Sequence, residues 1–148
     1  MATDVKYLPL RLFGVWVIVA ILAALFVANA HIESSRDVTL HKIMVIYVGA
    51  DDCAPCRAWR HDRWPQFAAS SDFQRLVYRE VTSSKLFDLL NDDIWPEDLR
   101  RYRNTLDRSA GAPLWFIVVD DKIRLTARGL KEWDERAVPQ IRMLVGRS

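Results

Sequence analysis

The chain has two cysteines, Cys53 and Cys56, and they stand three residues apart. They follow an apolar, β-branched run, Ile43-Met44-Val45-Ile46-Tyr47-Val48, which reads as a buried strand. They precede Cys56-Arg57-Ala58-Trp59-Arg60-His61-Asp62-Arg63-Trp64, a segment that can be helical. A Cys-X-X-Cys pair on the turn from a strand into a helix is the arrangement of a dithiol redox centre. If the helix starts near Cys53, that thiol faces unpaired backbone N–H groups and the positive end of the helix dipole. Both favour the thiolate, which is the reactive species. Cys56, one turn further in, is shielded and placed to attack a mixed disulfide formed on Cys53.

Two plainer readings compete. Half of a zinc site is one, but tetrahedral zinc takes about four ligands. There is no second cysteine pair, and His31, His41 and His61 show no ligand spacing, so no metal is expected. A structural disulfide that never turns over is the other. It would close a very short loop, and short loops gain least from cross-linking.

With 148 residues, 51% of them hydrophobic and 27% charged, the chain suits one globular domain with a real core plus one apolar segment. A formal net charge of +2 is too small to argue for nucleic acid, and no basic run with interleaved aromatics occurs. The apolar segment is Leu12 to Ala28, 17 residues without charge, preceded by Lys6 and Arg11. Those cations place the N-terminus in the cytoplasm and the remainder of the chain outside. Seventeen residues is the lower limit for a spanning helix and slightly above a signal-peptide core, and Ala28-Asn29-Ala30 fits a cleavage site. Residues 1–30 are therefore read as a signal-anchor or a signal peptide, 31–42 as a polar tether, and 43–148 as the folded domain. In either case the cysteines reach an oxidising compartment.

Within the domain, Pro65 kinks or stops the cysteine helix, and Phe73 to Leu76 is a short helical piece. Val77 to Val81 is a second strand. Lys85 to Asn91 forms a short helix, and a further one starts at Trp95-Pro96, with Pro96 in the first helical position, and runs to about Leu106. Leu114 to Val119 is continuously apolar, as in a central strand covered on both faces. Asp120-Asp121 turns into Lys122 to Arg128, an alternating strand ended by Gly129. A terminal helix from Glu132 to Val145 is disturbed at Pro139. The order β-α-β-α-β-β-α predicts a mixed sheet with helices on its faces. Trp59, Trp64, Trp95, Trp115 and Trp133 read as packing, with Trp64 and Trp95 the two that could border a groove.

From Ile43 to Val145 the chain resembles thioredoxin-fold proteins. The motifs that carry the resemblance are Cys53-Ala54-Pro55-Cys56 after the first strand and Ala112-Pro113 before the central one. The resemblance implies an α/β, thioredoxin-like fold: a mixed central sheet of about four strands with helices on both faces, here preceded by an N-terminal hydrophobic helix. It also implies a cis bond at Ala112–Pro113, with Pro113 beside Cys53 and the Ala112 backbone pairing with a bound substrate strand. Asp52, Ala54, Pro55 and Arg57 flank or fill the motif. Three features depart from the family pattern. Asp52 stands where tryptophan is usual, Tyr47 stands where thioredoxins keep a buried acid, and the connection to Pro113 is longer. They favour an exported, single-domain relative over cytoplasmic thioredoxin and leave the proton acceptor for Cys56 unassigned.

Two classes of function remain in play. One is an exported thiol–disulfide oxidoreductase with no cofactor beyond its own Cys53–Cys56 disulfide. Cys53 is its nucleophile, Cys56 its resolving thiol, protein thiols or disulfides are its substrates, and a membrane thiol-transporting protein is its donor. The Ala-Pro dipeptide is similar to that of thioredoxin and of membrane-tethered reductants serving cytochrome c or oxidase assembly. That implies a reductant on the periplasmic side of a bacterial inner membrane, anchored through 12–28 or released after Ala30. The other class is a non-catalytic thioredoxin-fold subunit, or a copper-handling assembly factor using two soft thiolates.

Overall fold

In a computed structural model, the described residues are 42–146. The predicted hydrophobic helix and nearly all of the predicted tether lie outside them. Strand β1 (Ile43–Ala50) leads into helix α1 (Ala54–Asp62) and a short α2 (Trp64–Ala68). A 3-10 turn (Phe73–Arg75) precedes β2 (Val77–Ser83). Three more 3-10 turns, Leu86–Leu90, Asp92–Ile94 and Glu97–Leu99, then run into α3 (Arg100–Arg103). The chain ends with β3 (Leu114–Val119), β4 (Lys122–Arg128), α4 (Gly129–Glu132), a π-helical turn (Trp133–Ala137) and α5 (Val138–Val145).

The sheet order is β2-β1-β3-β4, with β1 parallel to β2 and antiparallel to β3. Every residue of β1 and β3 is buried, as their unbroken apolar sequences require of strands covered on both faces. Successive side chains alternate between the faces. Met44, Ile46 and Val48 join Leu114, Phe116 and Val118 on one face, beneath Leu89, Trp95, Leu99 and Tyr102. Val45 and Tyr47 join Trp115 and Ile117 on the other, beneath Trp59, Trp133 and Ile141. Asp120 and Asp121 both take positive φ (49° and 64°), the conformation of a two-residue hairpin between β3 and β4.

Two predicted helices differ from the elements that form. The helix expected from Trp95 to Leu106 is a 3-10 turn followed by the four-residue α3, and Pro96 stands just before that turn, extended (ψ 144°), not in its first position. The indole of Trp95 explains the register: its Nε1–H donates to the Leu89 carbonyl at 2.7 Å, holding the preceding turns against the sheet. The segment expected as a helix from Lys85 to Asn91 is 3-10 in geometry. At the C-terminus, Pro139, which has no N–H to give a preceding carbonyl, is accommodated by the π-helical turn directly before it.

The face under α1 is built from rings. Tyr47 stacks on Trp59 (centroids 4.5 Å apart), Trp59 meets Trp133 edge to face at 5.5 Å, and Trp64 stacks on Tyr78 at 4.5 Å. Such pairs add to what their burial contributes. Tyr47 reaches along its own strand over Gly49, where a Cβ would lie 2.2 Å from the tyrosine oxygen and 2.5 Å from its ring. Glycine is required there. Gly49→Ala should cost about 1–3 kcal/mol by forcing the stacked ring aside, read as a shift of the urea midpoint. The loss should shrink when Tyr47 is replaced by valine.

Burial raises the pKa of both Tyr47 and Tyr78, the latter assisted by the nearby Glu80 carboxylate. A raised pKa means that the native state keeps protons the unfolded chain has released. Their contribution is therefore complete below the unfolded tyrosine pKa of about 10 and falls above it, by ~1.4 kcal/mol per pH unit for each group. Unfolding free energy measured from pH 8 to 11.5 should be flat at first and then decline, less steeply in Tyr78→Phe.

Candidate active site

The site forms where β1 runs out. The Asp51 N–H donates to the Ser83 carbonyl at 3.0 Å, continuing the β1–β2 ladder by one bond, and the Cys53 N–H reaches back to Ala50. Cys53 then takes the N-cap position of α1 with extended backbone (φ −86°, ψ 110°), and Pro55 falls in the first turn, where a missing N–H costs nothing. The Cys53 sulfur accepts the Cys56 N–H at 3.2 Å, the bond that a serine or aspartate oxygen makes at other helix starts.

Cys53 and Cys56 are joined as a disulfide, their Cα atoms 5.2 Å apart. Cys53 keeps 5% of its surface exposed and Cys56 none. Of the two, Cys53 alone keeps any exposure.

The second predicted element meets this pair. The Ala112–Pro113 bond is cis, and the Ala112 carbonyl oxygen lies 3.5 Å from the Cys53 sulfur. Sheet register brings it there: Leu114 pairs with Val48, so residues before β3 run beside residues after β1. Gly111, at φ 62°, supplies a left-handed step that residues with a Cβ rarely adopt. The Pro113 carbonyl accepts from Gly129 N–H at 2.8 Å. Asp107 accepts from the Ser109 backbone at 2.7 Å and from its hydroxyl, which holds its carboxyl below the usual range.

The charged neighbours divide their work. The Asp51 carboxylate pairs with Arg60 at 3.0 Å, and its carbonyl accepts from Arg57 at 2.7 Å. Asp51 thus engages both arginines of the first two turns of α1. Asp52 turns away from them. Its carboxylate accepts the Leu86 N–H at 2.8 Å, tying the 3-10 turn Leu86–Leu90 to the start of α1. Ala54 and Pro55 fill the first turn of α1. Tyr47 is fully buried and, with its pKa raised, stays neutral, so no acid occupies that position. Trp95 and Trp64 are packing residues: Trp95 is buried, and Trp64 lies among Trp59, Phe67, Phe73 and Tyr78. His61 sits exposed beside Asp62. Among the described residues no group of three or more His, Cys, Asp or Glu could hold a metal ion.

Sequence reading missed the part played by Leu86 and Phe87, which stand out in solvent next to this site. A Leu-Phe pair directly after the polar Ser83-Ser84-Lys85 was the available signal.

A parallel–antiparallel sheet of order 2-1-3-4, a Cys-X-X-Cys disulfide at the end of β1 and a cis-proline loop against it define a thioredoxin-like α/β domain with a dithiol/disulfide centre. No protein-family model and no curated relative matches the sequence. Among solved structures, the chain is similar to the periplasmic thioredoxin SoxS from Paracoccus pantotrophus in its reduced form. The identity is 14% and the TM-score 0.49, over 72% of this chain and 98% of that one. It is also similar to thioredoxin f2 of Chlamydomonas reinhardtii, at 12% identity and a TM-score of 0.45, over 70% and 79% of the two chains.

Asp52→Ala should leave the disulfide in place and loosen the turn it anchors. Losing a bond worth about 1 kcal/mol should speed amide exchange at Leu86 roughly fivefold, measured by hydrogen exchange against β1 amides as internal reference.

Proposed function

We propose that this chain is an exported thiol–disulfide oxidoreductase that reduces protein disulfides at the outer face of the inner membrane. One observation carries the reading: a partly accessible sulfur at a helix N-cap, bonded to a buried one and set against the cis-proline loop. In the reduced protein the Cys53 thiolate attacks one sulfur of a substrate disulfide, and the other substrate sulfur leaves as a thiolate. A mixed disulfide is formed. The Cys56 thiolate then attacks the Cys53 sulfur, the second substrate thiolate leaves, and Cys53–Cys56 closes. Two electrons have passed to the substrate. A thiol donor must return them, and a membrane thiol-transporting protein is the class that could do so from the cytoplasm.

The Cys56 N–H remains within reach of a Cys53 thiolate and, with the helix dipole, stabilises it. Pro113 and Ala112 position the incoming chain, and Asp52, Ala54, Pro55 and Arg57 shape the rim. Export rests on the uncharged run Leu12 to Ala28 behind Lys6 and Arg11, and a role in cytochrome c or oxidase assembly on the Ala-Pro dipeptide between the cysteines.

Cys53→Ser should abolish reduction of protein disulfides, whereas Cys56→Ser should accumulate mixed disulfides with the natural partner, visible on non-reducing gels. Equal turnover by both variants and the parent would remove the catalytic reading. A reduction potential near or below about −270 mV marks a reductant, and one near −120 mV an oxidant.

A further inference from the structure

A groove of about 750 Å³ opens beside the disulfide, with Leu86, Phe87 and Leu90 on one side and Asp107, Ala110 and Gly111 on the other. Gly111 immediately precedes the Ala112–Pro113 bond, and Asp52, next to Cys53, also lines the groove, so its wall reaches the neighbours of the disulfide in sequence. Phe87 is 81% exposed and Leu86 43%, the most exposed large apolar pair among the described residues. They are not adrift: the Leu86 N–H is held by Asp52. A second hollow, on the other flank of the same turn, is lined by Asp51, Asp88 and Asp93. Across the two hollows, five aspartates (51, 52, 88, 93 and 107) face one cation, Arg108. Asp51 is paired with Arg60, which leaves the acidic excess on the Leu86–Leu90 side.

We infer that this groove selects the substrate: it takes an extended segment of a disulfide-bearing protein with a large apolar side chain beside the cysteine and a lysine or arginine next to that. The apolar side chain covers Leu86 and Phe87 in the groove, and the cation answers Asp88 and Asp93 in the adjoining hollow. The inference deepens the redox reading and rests on it for the identity of the bond that reacts. Complementary charge sets partner choice and encounter rate more than affinity. Burial of Phe87 supplies the attraction.

The test uses the full chain in detergent, reduced beforehand, with single-cysteine peptides carried as mixed disulfides with 2-mercaptoethanol. Each turnover yields peptide thiol, 2-mercaptoethanol and oxidised Cys53–Cys56, so electrons balance without an added donor. The Leu/Lys peptide should react about tenfold faster than its Leu→Ser or Lys→Glu analogue. Phe87→Ser should erase the Leu/Ser ratio, and Asp88→Lys with Asp93→Lys should invert the Lys/Glu ratio. Rates equal within about twofold across the series would overturn the inference, as would a dimer in sedimentation that Phe87→Ser dissolves. A cysteine-free Leu/Lys peptide separates the two claims by NMR titration. Binding without any disulfide reduction ends the redox reading and keeps the groove's preference, while reduction without peptide preference does the reverse.

Discussion

Burial of β1 and β3 on both faces is the constraint on which the rest of the molecule depends. Eight consecutive residues of β1 and six of β3 are shielded from water, so each face of the sheet must be roofed. The segment leaving β1 provides one roof. It turns back over Tyr47 with Trp59, and the reversal has to occur at the end of the strand, at Asp51-Asp52-Cys53. A helix start with its unpaired N–H groups therefore sits at the C-terminal end of an interior strand. Because β3 runs antiparallel in register with β1, the loop before it arrives at the same end of the sheet. Packing brings the cysteine pair and the cis-proline loop together. Chemistry then uses what packing has placed.

That placement makes the two sulfurs unequal. Cys53 lies at the rim with a sliver of accessible surface, whereas Cys56 is sealed under the turns that roof the Met44–Val48 face. The proposed order of events follows that inequality: attack at the rim, resolution from beneath. The buried acid that thioredoxins place next to this pair is replaced by a tyrosine that burial keeps protonated. Proton transfer to and from Cys56 is therefore not handled at that position. The space instead holds a ring stacked on Trp59, which anchors the helix that presents Cys53.

The unbroken apolar runs named both central strands, because nothing but two-sided burial tolerates such sequences, and the Cys-X-X-Cys spacing at the end of one of them located the sulfur centre. The cis bond at Ala112–Pro113 was legible through resemblance alone, since spacing carries no isomer. Local patterns misled between Lys85 and Leu106. Helical residues are plentiful there, yet the chain forms a series of 3-10 turns, because the Trp95 indole must reach the Leu89 carbonyl and Leu99 and Tyr102 must reach the sheet. Tertiary demand overrode propensity. Gly49 was equally opaque, since its need arises only once Tyr47 lies across it.

Two of the three departures from the thioredoxin pattern, Asp52 and the longer connection, meet on one side of the disulfide. Asp52 stands in place of the usual tryptophan. It reaches across to the backbone of a turn that the longer connection has inserted. The two departures are one device, since a wall next to the reactive sulfur needs an anchor beside that sulfur. The frame that carries the sulfurs is strand and helix, fixed by a core in which any change is costly. The wall is short 3-10 turns joined to that frame by an exposed hydrogen bond, free to change residue by residue without disturbing β1 or α1. The disulfide is thereby held on rigid elements and the exposed apolar pair on a replaceable one. This division leaves Leu86 and Phe87 in water beside an otherwise closed core, on the element least tied to it.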